Sequence, residues 1–525
     1  MSKEVIKTNV VDDRFTFAHE GVELHDHKLA TKSRGYFADA FYRFTKNKAS
    51  VTASIIIIII ILFAVIVPIA TPRNVQTLMD PYYSKKGPRD TTFYRLGVDG
   101  ALSNVYTDRT IIYELSKGVG AEFSEEKPVV TVAESMDSYY QPVVKMKAYD
   151  ISVGGSRENR FDADVDQYLA VGFKYIAIEQ HKFNVIRAFE EEHNIKIMYP
   201  LIANNEYTYG QDTADAANFW YKTKGKADPI KIIDGVPVIQ KYNENLVLEE
   251  NYMRDSHGNF VYRIYTGGGD SSTAQYRVRV LYYNYYRYLY GREPNYLFGT
   301  DTQGYSMIYR LATGIRLSLI VAVLVSTINF IIGALYGAVE GYYGGATDLI
   351  MERISDILAR VPFVVTITLF QLHFAAKIGS FASLMFAYVA TGWIGTAGAV
   401  RAQFYRFKNQ EYVMAARTLG ASNRRIMWKH IFPNTLGTLI TSSVLVIPSV
   451  IFSESMLSYL GIVKLGGAKT TSLGTLLSDA SSIWMSYPSL MIFPAIIISL
   501  LMICFNLFGN GLRDAFNPTL RGSDQ

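Results

Sequence analysis

The chain is expected to be an α-helical membrane protein of six transmembrane helices with an inserted domain of mixed α and β structure. Three features of the 525-residue sequence predict this. Six runs are apolar enough to cross about 30 Å of hydrocarbon. A polar interval from Arg73 to Arg316 separates the first run from the rest and is far longer than an ordinary connection, so it can bury a core of its own. Late in the chain, the segment Glu411 to Asn434, EYVMAARTLGASNRRIMWKHIFPN, is a short basic island with helix-forming residues between two apolar runs. It must stand in water on one side of a bilayer.

The first run, Val51 to Ala70, contains the consecutive isoleucines Ile55 to Ile61 and is flanked by Lys48 and Arg73. It is too long and too deep in the chain for a cleaved signal peptide. The second is Leu317 to Val339, between Arg316 and Glu340. Val361 to Ala376 is the weakest because it carries Gln371 and His373, and the preceding Leu349 to Arg360 is expected to extend it amphipathically beyond the bilayer. Ile378 to Val400, Leu436 to Phe452 and Pro488 to Phe508 complete the six.

Basic residues next to spans are retained in the cytoplasm. Lys28, Lys32, Arg34, Arg43, Lys46 and Lys48 precede the first span, and Arg401, Arg406, Lys408, Arg417, Arg424, Arg425 and Lys429 fall within residues 401–430. Both groups are expected inside, which six crossings allow. The segment from Glu340 to Arg360 is then inside too, although it is slightly acidic. These boundaries divide the chain into a cytoplasmic segment (1–48), a first transmembrane helix (49–72), an extracytoplasmic insert (73–297), a core of five spans (298–512) holding the cytoplasmic loop 401–433, and a cytoplasmic tail (513–525).

Within the insert, FKYIAIEQ, FNVIRAFEEEHN and IKIMYPLI read as strand, helix and strand, and VPVIQKY, NLVLEENYM and NFVYRIYT as strands around turns such as Asp255 to Asn259. LYYNYYRYLYG, Leu281 to Gly291, is dense in tyrosine and fits an interfacial aromatic belt or core packing better than a receptor contact. GGGDSS at Gly267 to Ser272 reads as a turn. Asp162, Asp164 and Asp166 lack the glycine and distal glutamate of a calcium loop, and read as a solvated turn.

The net charge of +5 is too small to argue for nucleic acid, and the single cysteine, Cys504, cannot build a disulfide framework or a cysteine-rich zinc site within the chain. LGGAKTT, Leu465 to Thr471, misses the phosphate-binding loop pattern because Ala468 stands between glycine and lysine. No HExxH or nucleophile arrangement is present, so catalytic, cofactor and metal residues are expected to be none. His373, one turn from Lys377, reads as a neutral histidine near the membrane surface.

Ala415, Ala416 and Gly420, followed by the aromatic-proline step Phe432 and Pro433, resemble the EAA loop of permease subunits in ATP-binding-cassette importers. FGTDTQGYSMIYRLATGIRLSL, GYYGG, ESMLSYLG, SLGTLLSD and GNGLRDAFNP follow in the order of the dipeptide and oligopeptide permease branch. The resemblance implies the type I importer permease fold, with the loop forming a coupling helix seated on an ATPase subunit. On that reading the docking residues are Glu411, Ala415, Ala416, Gly420, Arg424, Arg425 and Pro433. Two alanines permit close approach, Gly420 a sharp exit, and Pro433 marks the start of the next span. The sequence departs from the pattern at Met414, where the family has glutamate, and at His430 and Ile431 before the aromatic-proline step.

The resemblance further implies an ATP-driven importer of dipeptides or oligopeptides in a bacterial plasma membrane, with both termini cytoplasmic. Its partners would be a second permease subunit, two ATPase subunits carrying ATP and Mg, and an extracytoplasmic peptide-binding protein. The insert lies outside the resemblance, and its size and its place between the first two spans lead to the expectation that it contacts that receptor. A permease for another solute, such as a nickel complex, and a membrane-anchored sensor are the alternatives.

Overall fold

The computed structural model describes residues 36–71 and 79–516, apart from stretches within 91–141, 154–155, 204–245, 268–273 and 468–469. Most of GGGDSS, the first 35 residues and the end of the tail lie outside the described residues.

An amphipathic helix, α1 (Tyr36–Lys46), leads through Asn47 into α2 (Lys48–Ala70). The Asn47 side chain accepts from Ser50 N at 3.3 Å and caps the span. α2 keeps Ala53, Ile57, Ile60 and Ala64 against the bundle and leaves Ile55, Ile58, Ile59 and Ile66 exposed, a division suited to lipid on the outer face.

The insert follows. β1 (Ala101–Thr107), β3 (Val143–Val153) and β4 (Ser156–Asp166) form one antiparallel sheet, and β2 (Val129–Thr131), β8 (Ile230–Ile233) and β9 (Val236–Gln240) another. A third contains β7 (Tyr221–Thr223), β10 (Tyr242–Asn243) and β11 (Leu246–Glu250). The fourth is β12–β13–β5, built from β12 (Arg263–Gly267), β13 (Gln275–Leu281) and β5 (Phe173–Glu179), with β6 (Met198–Tyr199) also pairing β13. Helix α3 (Gln180–His193) covers one face of it through Phe183, Ile186 and Phe189, against Ile178, Val278 and Val280. The expected strand–helix–strand unit is present, although its second strand is only Met198–Tyr199, and NFVYRIYT is strand only in its last half.

One reading of the insert is corrected and another is decided between its alternatives. Asp162, Asp164 and Asp166 lie on strand β4, not in a turn: their spacing of two is the strand period, and they alternate with buried Phe161, Ala163 and Val165. Asp166 is itself buried and pairs with Arg89 at 3.0 Å. The tyrosine run is helix α4 (Tyr282–Tyr290), and it is core, not belt: Tyr282, Tyr283 and Tyr286 pack with Tyr83, Tyr168 and Tyr296.

This tyrosine cluster joins the insert to the membrane part. The Tyr282 hydroxyl donates to both carboxylate oxygens of Asp80 (2.9 and 2.8 Å), whose pKa is nevertheless raised, chiefly by burial. Burial, with Asp80 alongside, pushes the Tyr282 phenol far above its usual range, so it stays a donor. The Thr300 hydroxyl donates to the Tyr83 carbonyl and accepts from Lys86 N at 2.9 Å. Asp301 accepts from Gln303 N and Tyr305 N (2.9 and 2.8 Å) and forms a buried ion pair with Arg310 at 2.7 Å, which lacks hydrogen-bond alignment. Gly304 sits at φ +89°, and a Cβ there would lie 1.9 Å from the Asp80 carbonyl; this turn admits only glycine.

Beyond the joint runs α5 (Met307–Tyr343), then α6 (Gly345–Ala359), α7 (Phe363–Ile378), α8 (Ser380–Gly392) and α9 (Ile394–Phe407). Next come α10 (Glu411–Thr418), α11 (Asn423–Arg425), a π-helical turn Ile426–Ile431, α12 (Phe432–Val444), α13 (Val446–Tyr459), α14 (Leu473–Ala480) and α15 (Ser489–Phe516). Among the described residues five continuous helical stretches are long and apolar enough to cross a membrane, and α6 with α7, bent by 73° at their break, counts as a sixth only when the two are taken together. The six expected spans are therefore all helical. The Leu349 to Arg360 stretch does not extend its span, however; it turns away at Val361–Pro362, where proline has no N–H to continue the ladder and its ring disfavours helix in the residue before it. His373 is exposed on α7.

Candidate coupling site

Helix α10 is held at a single point. Val413 is its one buried residue, fully enclosed by a cluster that includes Tyr342, Phe404, Ile426 and Met427. The helix ends at Leu419, and Gly420 turns the chain at φ +81° with nothing within 4 Å of a Cβ built there. Gly420 is required for its backbone conformation and not for space. The chain then re-enters helix through Ser422, whose hydroxyl accepts from Arg425 N at 3.4 Å, and Asn423, which accepts from the Tyr342 hydroxyl at 2.8 Å.

The outward residues form a pattern. Tyr412, Ala415, Ala416 and Leu419 recur at i, i+3, i+4 and i+7, one face of an α-helix. Ala416 is half-buried, Tyr412 and Ala415 are exposed, and Leu419 is 88% exposed. Met414, standing where a glutamate is usual, is also exposed, so this surface is more apolar than the family pattern implies. Glu411, Arg424 and Arg425 are exposed around it, and no ion pair ties any of the three among the described residues. Pro433 is placed differently from expectation. Helix has already begun at Asn423, and the proline follows the π turn Ile426–Ile431 near the start of α12. A π turn shifts the hydrogen-bond register locally, which accommodates a residue that cannot donate.

A scaffold that the sequence reading missed stands behind this hairpin. Gly333, Gly337 and Gly341 put small residues on α5 every four positions, against the backbone of α9; a Cβ at Gly337 would lie 2.2 Å from the Ala397 carbonyl. Such spacing lets two helices touch backbone to backbone. Arg401 on α9 then forks onto Asp348 (2.6 and 2.9 Å) and Glu352 (2.8 and 3.1 Å) of α6, with Glu340 at 3.6 Å. The Tyr405 hydroxyl donates to Asp348 at 2.6 Å and Lys408 Nζ to the Gly341 carbonyl at 3.1 Å. The signal was present in the acidity of Glu340 to Arg360, which disagreed with the charge rule: these carboxylates are neutralised from the next helix.

Toward the insert side, the motif ESMLSYLG places Glu454 fully buried, accepting from Ser318 and Ser458 hydroxyls, each at 3.0 Å. Together with Gly474, whose Cβ would lie 2.5 Å from Ser455 Cα, this ties α14 to α5 and α13.

Residues 330–522 match the binding-protein-dependent transport system inner membrane component, and residues 35–88 match the N-terminal TM domain of oligopeptide transport permease C. The oligopeptide transport system permease protein OppC of Bacillus subtilis (strain 168) is 41% identical over 224 residues, covering 43% of this chain and 72% of that protein. The dipeptide transport system permease protein DppC of the same organism is 40% identical over 225 residues, with 43% and 69% covered. OppC of Escherichia coli (strain K12) is 37% identical over 230 residues, with 43% and 73% covered. The two family matches flank the insert without entering its sheets. The two family matches and these relatives identify the chain as a member of the oligopeptide and dipeptide permease family of binding-protein-dependent transport systems.

Proposed function

We propose that this chain is a transmembrane permease subunit of an ATP-driven importer of dipeptides or oligopeptides, forming half of the translocation pathway. The carrying observation is the stripe of exposed Tyr412, Ala415 and Leu419 with half-buried Ala416, on a helix pegged by Val413. An unpartnered apolar helix face suits the groove of another protein, and on this reading the groove belongs to a cytoplasmic ATPase subunit. ATP and Mg act there, so hydrolysis takes place outside this chain. Glu411, Arg424 and Arg425 give the rim its charges, Gly420 the turn, and Pro433 follows the π turn within the helix that runs on behind it. Closure of two such ATPases moves α10, and the packed α5–α9 pair carries the displacement toward a second permease chain.

Peptide cargo is supported by the relatives, which are named for oligopeptides and dipeptides; the nickel-complex and anchored-sensor alternatives are not favoured. The assembly sits in a bacterial plasma membrane with both termini cytoplasmic. The insert, 73–297, then faces outward, where it meets an extracytoplasmic peptide-binding protein. The test is Ala415→Glu with Ala416→Glu. Membrane insertion is expected to persist while co-purification with the ATPase subunits and peptide uptake are lost. Normal uptake by this variant would defeat the coupling reading.

A further inference from the structure

Sheet β12–β13–β5 has one face covered by α3 and another that is sealed around Arg279 and Phe173 and open around Arg277. Alternation along the strands places Ile264, Arg277 and Tyr175 on the open face, since Ile264 pairs with Arg277 and Val278 with Ile176 on the covered side. Opposite them run Leu201 to Ala203 and Met253, tied to one another by Met253 N to Leu201 O at 2.7 Å. Between the two walls lies a cavity of about 400 Å³. That is room for roughly a dozen waters at ~30 Å³ each, well beyond a structural water site and within the range of small-ligand pockets.

Two arginines two residues apart on β13 show what this cavity lacks. Arg279 is fully buried, donates to the Ala217 and Pro200 carbonyls at 2.5 and 3.2 Å, and lies over the Phe173 ring. It is structural. Arg277 is exposed, lies 3.9 Å from the centroid of the Tyr175 ring, and has no carboxylate partner among the described residues. Stacking fixes the plane of the guanidinium, and a guanidinium held in plane offers paired N–H donors that match a carboxylate. The Tyr175 hydroxyl accepts from Ile202 N at 3.3 Å, which leaves its own proton to donate to a ligand. Ile264 and Met253 border a cavity whose surface is otherwise mostly polar, which suits the amide groups of a ligand that carries the carboxylate.

We propose that this cavity is a binding site in the insert for a short peptide, held by its terminal carboxylate on Arg277 and Tyr175. The choice of a peptide rests on the import reading above; the need for a carboxylate rests on the pocket alone. The test is calorimetric titration of the purified full-length chain in lipid nanodiscs with trialanine and with trialanine amide. Trialanine is expected to bind and its amide to bind at least tenfold more weakly. Arg277→Gln, at an exposed position, is expected to lose trialanine affinity at least tenfold with an unchanged melting temperature. Tyr175→Phe keeps the stack and is expected to weaken binding several-fold. Equal affinity for acid and amide, wild-type affinity in Arg277→Gln, or no binding to the unaltered chain would each overturn the site. Cells that import trialanine through a chain that does not bind it would overturn this inference while leaving the import reading intact.

Discussion

The two ends of α5 are fastened by opposite means. At the insert end the charges are buried, Arg310 against Asp301 and Asp80 against Tyr282, and main-chain hydrogen bonds such as Lys85 N to Asp301 O at 2.9 Å hold the segments together. At the other end Gly333, Gly337 and Gly341 bring main chains together, and the charges, Arg401 with Asp348 and Glu352, lie partly in solvent. A buried ion pair is unforgiving because losing one partner strands the other. Glycine packing is unforgiving of volume instead, since a close-packed interface has nowhere to put an added side chain. The first end resists separation and the second resists intrusion.

The comparison can be broken most forcefully at the insert end. Arg310→Met should cost about 3–5 kcal/mol by leaving Asp301 buried and unpaired, read as a fall in the melting temperature of the purified chain, whereas adding Asp301→Asn should recover much of the loss. A double variant no better than the single would show that the charge is not the issue. Gly337→Leu should cost about 3 kcal/mol or more through overpacking and should lower the yield of folded protein; a neutral result would mean that α5 and α9 are not in backbone contact. Gly420→Ala meets no atoms, so only its left-handed backbone is at stake, about 1–2 kcal/mol; a large loss of folding there would refute the open surroundings of the turn.

The smallest expected effect is a pH slope. Burial raises the Asp80 pKa above its ordinary 3.8, so the folded joint holds this proton more tightly than the unfolded chain does. Its contribution is fully present below pH 3.8 and is lost as pH rises through the higher folded value. The melting temperature of the wild type minus that of Asp80→Asn should therefore fall across that window. A difference that rises with pH would reverse the assignment.

The spans were legible because long apolar runs admit few alternatives, and the hairpin Glu411 to Pro433 because alanines, glycine and proline constrain a backbone locally. Arg401 was counted only as a topogenic charge, although its partners Asp348 and Glu352 lie some fifty residues earlier, a separation that no local pattern reveals. Asp166 was misplaced for the same reason: its partner Arg89 lies 77 residues earlier. Pro433 misled in another way, because a proline ordinarily starts or breaks a helix, and only the π turn before it lets the helix run through. In the insert, short strands such as Met198–Tyr199 are fixed by neighbours rather than by their own residues.

Val413 is the sole anchor of the eight-residue helix Glu411–Thr418. A rod nailed once can swivel, so a load applied off its axis produces torque instead of thrust. Whatever seats on this surface must clasp it on both sides of the nail, at Tyr412 and at Leu419, if a pull is to arrive at the bundle as a straight displacement.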